Sequence, residues 1–210
     1  MTKRFLTFCF LSSFVYHLTA QIDPANFSKK IEYQVGYFGE FIARPGFKLG
    51  VAYPFYQKLK TKQKYSEAYK QTLTKSKIHQ FKIGSNLAYY HQVNNHNGLL
   101  LNVELTYQKI KHKSKKPNKL SYFDVSFGLG YFHYELVGKT FQPTEDGFEE
   151  INGNGNALMP TFALAWGRNL PFIKSIDMRY YVKPTLLFET PAGTGTQVRF
   201  ALEVGLASSF

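Results

Sequence analysis

Residues 123–131 read FDVSFGLGY, and this stretch decides the fold class. Large apolar side chains at Phe123, Val125, Phe127, Leu129 and Tyr131 alternate with the small or polar residues Asp124, Ser126, Gly128 and Gly130. A period of two is that of a β-strand, because successive side chains of a strand point to opposite faces. The alternation persists over nine residues, whereas strands of soluble proteins are most often about 5–6 residues long.

The same alternation recurs in seven further runs that fill most of the chain. Each run is about 9 to 14 residues long, and a tilted strand needs about 9–11 residues to span a bilayer. The runs are 31–41, 47–55, 81–89, 99–107, 158–166, 176–188 and 198–206. An even number of similar strands can close on itself and leave no unpaired edge. The pattern predicts an all-β protein whose residues 31–210 form a closed, up-and-down antiparallel transmembrane β-barrel of about eight strands.

The segments between the runs are rich in turn-forming or charged residues. Three short segments with Gly, Pro or Asn predict tight turns, at 44–46, 94–98 and 190–193. Residues 138–155 predict a longer loop with an acidic stretch. Residues 60–75 and 111–119 are rich in lysine and are interpreted as loops, with a weak helical pattern over 65–73.

The first twenty residues have the features of a secretory signal peptide. Lys3 and Arg4 make its start positive, and the largely apolar stretch 5–15 is too short for a membrane-spanning helix. We predict a signal peptide over 1–20, cleaved after Ala20, and a short N-terminal segment over 21–30. The alternative is an N-terminal helix that stays in the mature protein.

The only cysteine, Cys9, lies in the predicted signal peptide, so the mature chain is expected to form no disulfide and no thiolate site. Removal of the signal leaves 24 basic and 14 acidic residues, a net charge of +10. A basic balance fits nucleic acid, phosphate-bearing lipid or an acidic partner. Because an exported protein does not meet nucleic acid, we expect no nucleic-acid partner.

Alternation alone does not decide which face of the barrel is outside, and a soluble lipocalin-like barrel would bury the apolar face. Two features favour an apolar exterior. The polar face is crowded with Gly, Ala and Ser, which suit the narrow interior of an eight-stranded barrel. Aromatic residues of the apolar face also collect near the strand ends, as in the aromatic girdles of membrane barrels. They are Tyr33, Phe55, Phe81, Tyr107, Phe123 and Trp166 near one rim and Phe41, Phe47, Tyr89, Tyr131 and Phe188 near the other.

The last run ends on the apolar face, with Phe200, Leu202, Val204, Leu206 and the terminal Phe210. This ending resembles the C-terminal strand signal of bacterial outer-membrane barrels, which typically close with an aromatic residue. Residues 31–210 as a whole resemble the small eight-stranded outer-membrane barrel families. The resemblance implies a location in the bacterial outer membrane, contact with its lipid, and insertion by the barrel-assembly machinery through this C-terminal signal.

The inward face carries charges of both signs. They are Glu32, Glu40, Lys48, Lys82, Glu104, Asp124, Asp177, Arg179, Lys183, Glu189, Arg199 and Glu203. Isolated buried charges are very costly, so opposite charges inside a barrel are expected to pair. We interpret the set as a network of ion pairs that fills the lumen, with a polar pore or binding site as the alternative.

The histidines do not form an obvious catalytic or metal-binding pattern. His79, His91 and His133 lie on the apolar face near strand ends, and none stands mid-strand beside a nucleophile. A site at the rim, assembled by folding, is the alternative. We predict no catalytic, cofactor-binding or metal-ligating residues, no cofactor and no enzymatic activity.

The sequence therefore predicts a non-enzymatic outer-membrane barrel that acts through its loops as a structural, adhesive or accessory envelope component. The lysine-rich loops are expected either to bind an acidic or phosphate-bearing partner or to remain solvated. Strand counting places both on the side of the chain ends, opposite the acidic loop. The competing functions are a narrow channel or carrier for small solutes or lipid, a lipid hydrolase at the rim, and a soluble secreted barrel.

Overall fold

The alternating runs of the sequence form antiparallel β-strands. The computed structural model describes residues 30–40, 45–66, 71–92, 96–113, 116–137, 140–144, 147–151, 153–170, 177–192 and 195–209. In these ranges the strands are β1 (Glu32–Gly39), β2 (Gly46–Ser66), β3 (Gln71–His91), β4 (His96–Lys113), β5 (Lys116–Leu136), β6 (Thr140–Thr144), β7 (Gly147–Ile151), β8 (Asn154–Asn169), β9 (Asp177–Ala192) and β10 (Gly195–Ser209).

Eight of these strands close into a barrel in the order β1-β10-β9-β8-β5-β4-β3-β2. The first and last strands pair antiparallel from Glu32 opposite Ser209 to Gly39 opposite Leu202. Closure gives each of the eight barrel strands two neighbours, and beyond Ala52 the described part of β2 pairs with β3 alone. The predicted closed antiparallel barrel of about eight strands is confirmed.

Two glycines make the closing seam possible. Gly36 of β1 lies directly opposite Gly205 of β10. A Cβ on Gly36 would lie 2.8 Å from the Gly205 Cα, and a Cβ on Gly205 would lie 2.7 Å from the Tyr181 hydroxyl. Because real Cβ atoms do not approach other atoms this closely, glycine lets the seam strands meet and leaves room for Tyr181 in the lumen.

The exterior of the barrel is apolar and the interior is polar. Outward side chains such as Leu105 and Phe127 are 49% and 61% exposed, whereas the inward Glu203 is 0% exposed. Aromatic residues pair at both ends of this apolar band, with ring centroids 5.3 Å apart for Phe81 and Tyr107 and 5.9 Å apart for Phe47 and Tyr89. This is the arrangement of a barrel that meets lipid, and a soluble barrel with an apolar centre does not fit it.

The lysine-rich segments, interpreted above as loops, are strands where the structure describes them. Strands β2 and β3 stay paired from Gly46 opposite Tyr90 to Ser66 opposite Gln71, so the helical pattern over 65–73 was wrong at its described residues. Beyond Phe81 the β2–β3 and β4–β5 hairpins continue past the aromatic pairs. The alternation continues in these segments, but lysines take the outward positions and apolar residues such as Ile78 and Ile110 take the lumen-facing ones. The apolar outer face that identified the other runs is therefore missing here.

A bulge helps to start this extension. The register of β2 against β3 shifts between Pro54 and Tyr56. Proline lacks the backbone N–H that a ladder bond needs, so it suits such an irregular position. The extra residue lets two successive aromatics, Phe55 and Tyr56, lie 6.3 Å and 6.0 Å from the Phe81 ring.

The two ends of the barrel differ. We call the end with the β2–β3 and β4–β5 hairpins, the start of β1 and the end of β10 the hairpin end. We call the opposite end, which carries the β1–β2, β3–β4 and β9–β10 connections, the plug end. The loop predicted over 138–155 also belongs there, and it contains the two-stranded β6–β7 hairpin.

The N-terminal predictions fall outside the described part of the chain. The signal peptide over 1–20 and residues 21–29 of the following segment are not among the described residues, so both stay predictions. Within the described ranges, no helix is long and apolar enough to cross a membrane.

Candidate functional site

The charged residues of the inward face lie close together in the lumen. Of the twelve predicted members of this set, all except Asp177 have side chains that the structure describes. These side chains are buried except for Arg199, which is partly buried. They come from β1, β2, β3, β4, β5, β9 and β10, with Glu40 directly after the end of β1. They form three layers along the barrel axis.

The first layer lies nearest the hairpin end. The ammonium of Lys82 donates to Glu32 Oε2 at 2.7 Å. Arg179 Nη2 donates to Glu32 Oε1 at 2.9 Å and to Asp124 Oδ2 at 3.1 Å. Gln108 Nε2 also donates to Asp124, at 3.0 Å. Two cations and two carboxylates from four strands therefore cancel one another in this layer.

The second layer is a square of four charges at the centre of the lumen. Lys48 lies 2.7 Å from Glu203 and 3.7 Å from Glu104. Lys183 lies 2.7 Å from Glu104 and 4.0 Å from Glu203. The Tyr181 hydroxyl donates to the other oxygen of Glu203. Each ammonium faces two carboxylates, which is the geometry that compensates the desolvation of buried ions.

The third layer is centred on Arg199, near the plug end. Its guanidinium donates to Glu40 at 3.2 Å and to the Tyr90 hydroxyl at 2.9 Å, and it also pairs with Glu189. The guanidinium carbon lies 5.5 Å from the centre of the Phe132 ring. Arg199 thus joins the ion pairs of the lumen to an aromatic cluster.

This aromatic cluster closes the plug end. The rings of Tyr90 and Phe132 stack with centroids 5.9 Å apart, and the Tyr90 hydroxyl lies 3.0 Å from His96 Nε2. Leu100 and Met159 are buried in the same cluster. Large side chains typically fill an eight-stranded lumen, and this buried cluster occupies the lumen at this level.

The hairpin end, by contrast, holds an open cavity of about 300 Å³, which we call the vestibule. Its upper wall includes Ile78, Ile110 and Leu120, and its floor includes Lys82 and Arg179. The wall is the lumen-facing side of the extended hairpins. Gln57, Gln80, Gln108 and His112 also line it, so the vestibule combines a wall of mixed polarity with a charged floor.

Arg179 in the floor, and its partner Asp124 in the first layer, carry buried polar atoms that lack a hydrogen bond to any described residue. Nε and Nη1 of Arg179 and Oδ1 of Asp124 have no hydrogen-bond partner among the described residues. Buried polar groups are nearly always hydrogen-bonded in native proteins. Because these atoms are shielded from solvent, they mark incomplete hydrogen bonding within the first layer and not a surface that a bound molecule contacts.

The histidines weighed as a rim site do not contact a serine hydroxyl in the described part of the chain. His79 Nδ1 lies 2.6 Å from the Tyr107 hydroxyl, and His91 Nδ1 lies 2.6 Å from Asn97 Oδ1. His133 Nδ1 lies 2.8 Å from Asn156 Oδ1. Among the described residues there is also no cluster of His, Cys, Asp or Glu suited to a metal ion.

The uncharged residues of the lumen were not among the predicted site residues. Tyr90, His96, Gln108, Phe132 and Tyr181 are all buried there. His96 was assigned to a turn, but it begins β4. The alternation of each strand could have identified them, because each lies an even number of positions from an inward residue of its own strand and therefore on the same face.

The C-terminal set is only partly described. Phe200, Val204 and Leu206 point outward from β10 and are exposed, and Leu202 is partly buried. Phe210 lies outside the described residues. Their role as an assembly signal stays a prediction.

No protein-family model matches this chain, and no curated protein matches it in sequence. Solved structures with a similar fold include the outer membrane enzyme PagL, with a TM-score of 0.46 and 11% identity over 86% of this chain and 98% of that chain. Another is the N-terminal β-barrel domain of Pseudomonas aeruginosa OprF, with a TM-score of 0.32 and 12% identity over 85% of this chain and 97% of that chain.

The PagL structure corrects one prediction. We had inferred from the positions of the histidines that the protein is not an enzyme. PagL is an outer membrane enzyme with a barrel of this kind, so the architecture gives no ground for excluding catalysis. The exclusion of enzymatic activity was therefore wrong. At such low identity the likeness concerns the fold alone, and the closed ring of eight antiparallel strands establishes that fold in this chain.

Proposed function

We propose that the protein is a bacterial outer-membrane barrel that does not conduct and that acts at its two ends, as a structural, adhesive or accessory component of the envelope. The observation that carries the proposal is the filled lumen. Three layers of ion pairs and an aromatic cluster occupy it, and Tyr90, Phe132 and Glu203 are among the most deeply buried side chains there. The parts that can meet a partner are then the extended hairpins and the opposite loops.

The proposal predicts that the purified protein, folded in a planar lipid bilayer, shows no stable single-channel current at neutral pH. The physical reason is that opening the lumen requires separating charges that are buried within 3 Å of each other, such as Lys48 and Glu203. Heat-modifiable mobility in gel electrophoresis serves as the control that the barrel is folded. Reproducible current steps from folded protein would contradict the proposal and favour the channel function.

A second candidate function is the binding of a small amphipathic molecule, which is the carrier alternative without conduction. The vestibule favours it, because the apolar side chains of Ile78, Ile110 and Leu120 lie above a floor that holds the cations Lys82 and Arg179. Such a pocket suits a molecule with a hydrocarbon portion and a polar or anionic group.

Cysteine labelling tests the vestibule and the plug together. Cys9 is the only cysteine, so a chain that begins at Gln21 has none. In it, Ile110→Cys in the vestibule is expected to react with a charged thiol reagent more than about tenfold faster than Leu100→Cys in the plug, which is exposed only by local unfolding. Decanoate, a simple carboxylate amphiphile, should slow the reaction of Ile110→Cys if the vestibule binds such molecules. Equal rates for the two variants would contradict the closed lumen.

The remaining assignments belong to the same proposal. We include in it export by a signal peptide, insertion by the barrel-assembly machinery, contact with outer-membrane lipid, and an acidic or phosphate-bearing partner at the lysine-rich hairpins, all of which are predictions. The closed barrel with an apolar exterior supports the membrane location, because lipid requires closure and an apolar outer surface.

A further inference from the structure

A band of cations lies on the outer surface just beyond the aromatic pairs of the hairpin end. Two rows of backbone-paired residues define it. In the first row Lys58 lies opposite His79, which lies opposite Lys109. In the second row Lys60 lies opposite Lys77, which lies opposite Lys111. The second row continues through Ser121 to Arg168 on β8.

The band points outward, because it alternates with residues that face the lumen. Gln80 and Gln108, one position away from His79 and Lys109, are buried and line the vestibule. The aromatic row that precedes the band, with Phe81 and Tyr107, lies on the same outer face. The cations thus continue the surface that meets lipid, about 7 to 14 Å beyond its last aromatic row.

Among the described residues, no acidic side chain neutralises the band. None of its lysines, nor Arg168, forms a salt bridge with another described residue, and the described outward positions of its two rows hold no Asp or Glu. His79 lies beyond the membrane-spanning part of β3, and its pKa is lowered by burial and then by the four lysines around it. The contribution of these lysines to the lowered pKa indicates a local positive field at His79.

We propose that this band, made of Lys58, Lys60, Lys77, Lys109, Lys111 and Arg168, binds the phosphate groups of anionic phospholipids in the adjacent leaflet. Two features select this occupant. The cations form a strip parallel to the rim, and the strip adjoins the aromatic row that marks the boundary of the hydrocarbon. Ammonium groups at that height lie next to lipid phosphates. Each lysine or arginine near an anionic membrane surface contributes about 1 kcal/mol of attraction to the anionic lipids. The inference rests on the proposed location of the barrel in a membrane.

The chain provides its own reporter for this surface. Trp166 is the only tryptophan of the sequence, and it is half exposed on the outer face. Its ring lies 5.8 Å from that of Phe123, which lies opposite Lys109. Arg168 follows two residues later on the same face. Lipid that binds to the band near Lys109, Lys111 and Arg168 is therefore adjacent to Trp166.

The test is quenching of Trp166 fluorescence by brominated lipid, with the full mature protein in vesicles of phosphatidylcholine mixed with phosphatidylglycerol. We expect the relative binding constant obtained from quenching to be about fivefold larger for brominated phosphatidylglycerol than for brominated phosphatidylcholine. A fivefold difference corresponds to the attraction of about one cation at a membrane surface. The preference should disappear in about 1 M salt, where the Debye length is only about 3 Å.

Matched variants locate the effect. The triple variant K109Q/K111Q/R168Q is expected to lose the preference, and K109R/K111R, which keeps every charge, is expected to retain it. Lys30→Gln, which removes an exposed charge outside the band, should leave it unchanged. Equal quenching by the two lipids in the wild-type protein would overturn the inference while leaving the membrane location intact. If neither lipid quenched Trp166, the location itself would be wrong.

Discussion

Replacing Glu203 by alanine is expected to lower the free energy of unfolding by about 3–5 kcal/mol, the cost of removing one partner from a buried ion pair. Glu203 is fully buried, 2.7 Å from Lys48 and 4.0 Å from Lys183. Its loss leaves two ammonium groups facing the single carboxylate of Glu104, and it also removes the acceptor of the Tyr181 hydroxyl. Denaturant titration of the folded barrel in lipid vesicles, followed by the heat-modifiable band, measures the change.

A double variant separates the ion pair from simple loss of packing. Lys48→Met combined with Glu203→Leu removes both partners and leaves Lys183 paired with Glu104 at 2.7 Å. Apolar residues of similar size often replace a buried ion pair with little loss of stability. We therefore expect the double variant to be more stable than Glu203→Ala. A single Glu203→Ala variant within about 1 kcal/mol of the wild type would show that the central square is not a buried network.

Replacing Val103 by arginine is expected to lower the free energy of unfolding in a bilayer by about 2–4 kcal/mol, as arginine does at the midplane of membrane barrels. Val103 is outward and 46% exposed. It lies midway along β4 between Tyr107, in one aromatic row, and Leu99, which lies opposite Tyr89 of the other. A cation at this height faces hydrocarbon, and the same titration in vesicles measures its cost.

The matched control is Ser121→Arg, on the outer face beyond the aromatic row and beside the cationic band. Near the interface the cost of arginine falls to about 0–1 kcal/mol. A depth-dependent difference between the two variants is therefore the expected result. If Val103→Arg cost no more than Ser121→Arg, the apolar face would meet water, and the soluble barrel would become the better description.

The barrel was predictable from the sequence because alternation is a local property. About nine residues are enough to identify the two faces of a strand. In 123–131, for example, Phe127 belongs to the apolar face and Gly128 to the face of small or polar residues. Small inward residues and aromatic ends then favoured the apolar exterior. The same local reasoning failed where lysines broke the apolar rhythm, and it therefore assigned loops to segments that form the extended β2–β3 and β4–β5 hairpins.

The vestibule and the cationic band both result from that extension. They lie on its two faces, with Ile78 toward the lumen and Lys77 toward the outside. Neither feature was visible while these residues were treated as loops, because a loop has no faces. Once pairing is known, alternation again assigns every side chain to one surface or the other.

The sequence by itself determined the fold class and the side of each predicted run that carries charge, because these properties depend on residues close together in the chain. Only the tertiary structure decided which charges meet. Arg179 pairs with Glu32 across 147 positions of sequence, and Lys48 with Glu203 across 155. Such partners are set by the register between neighbouring strands and by closure of the ring, and a one-residue slip in register would turn these side chains to the lipid.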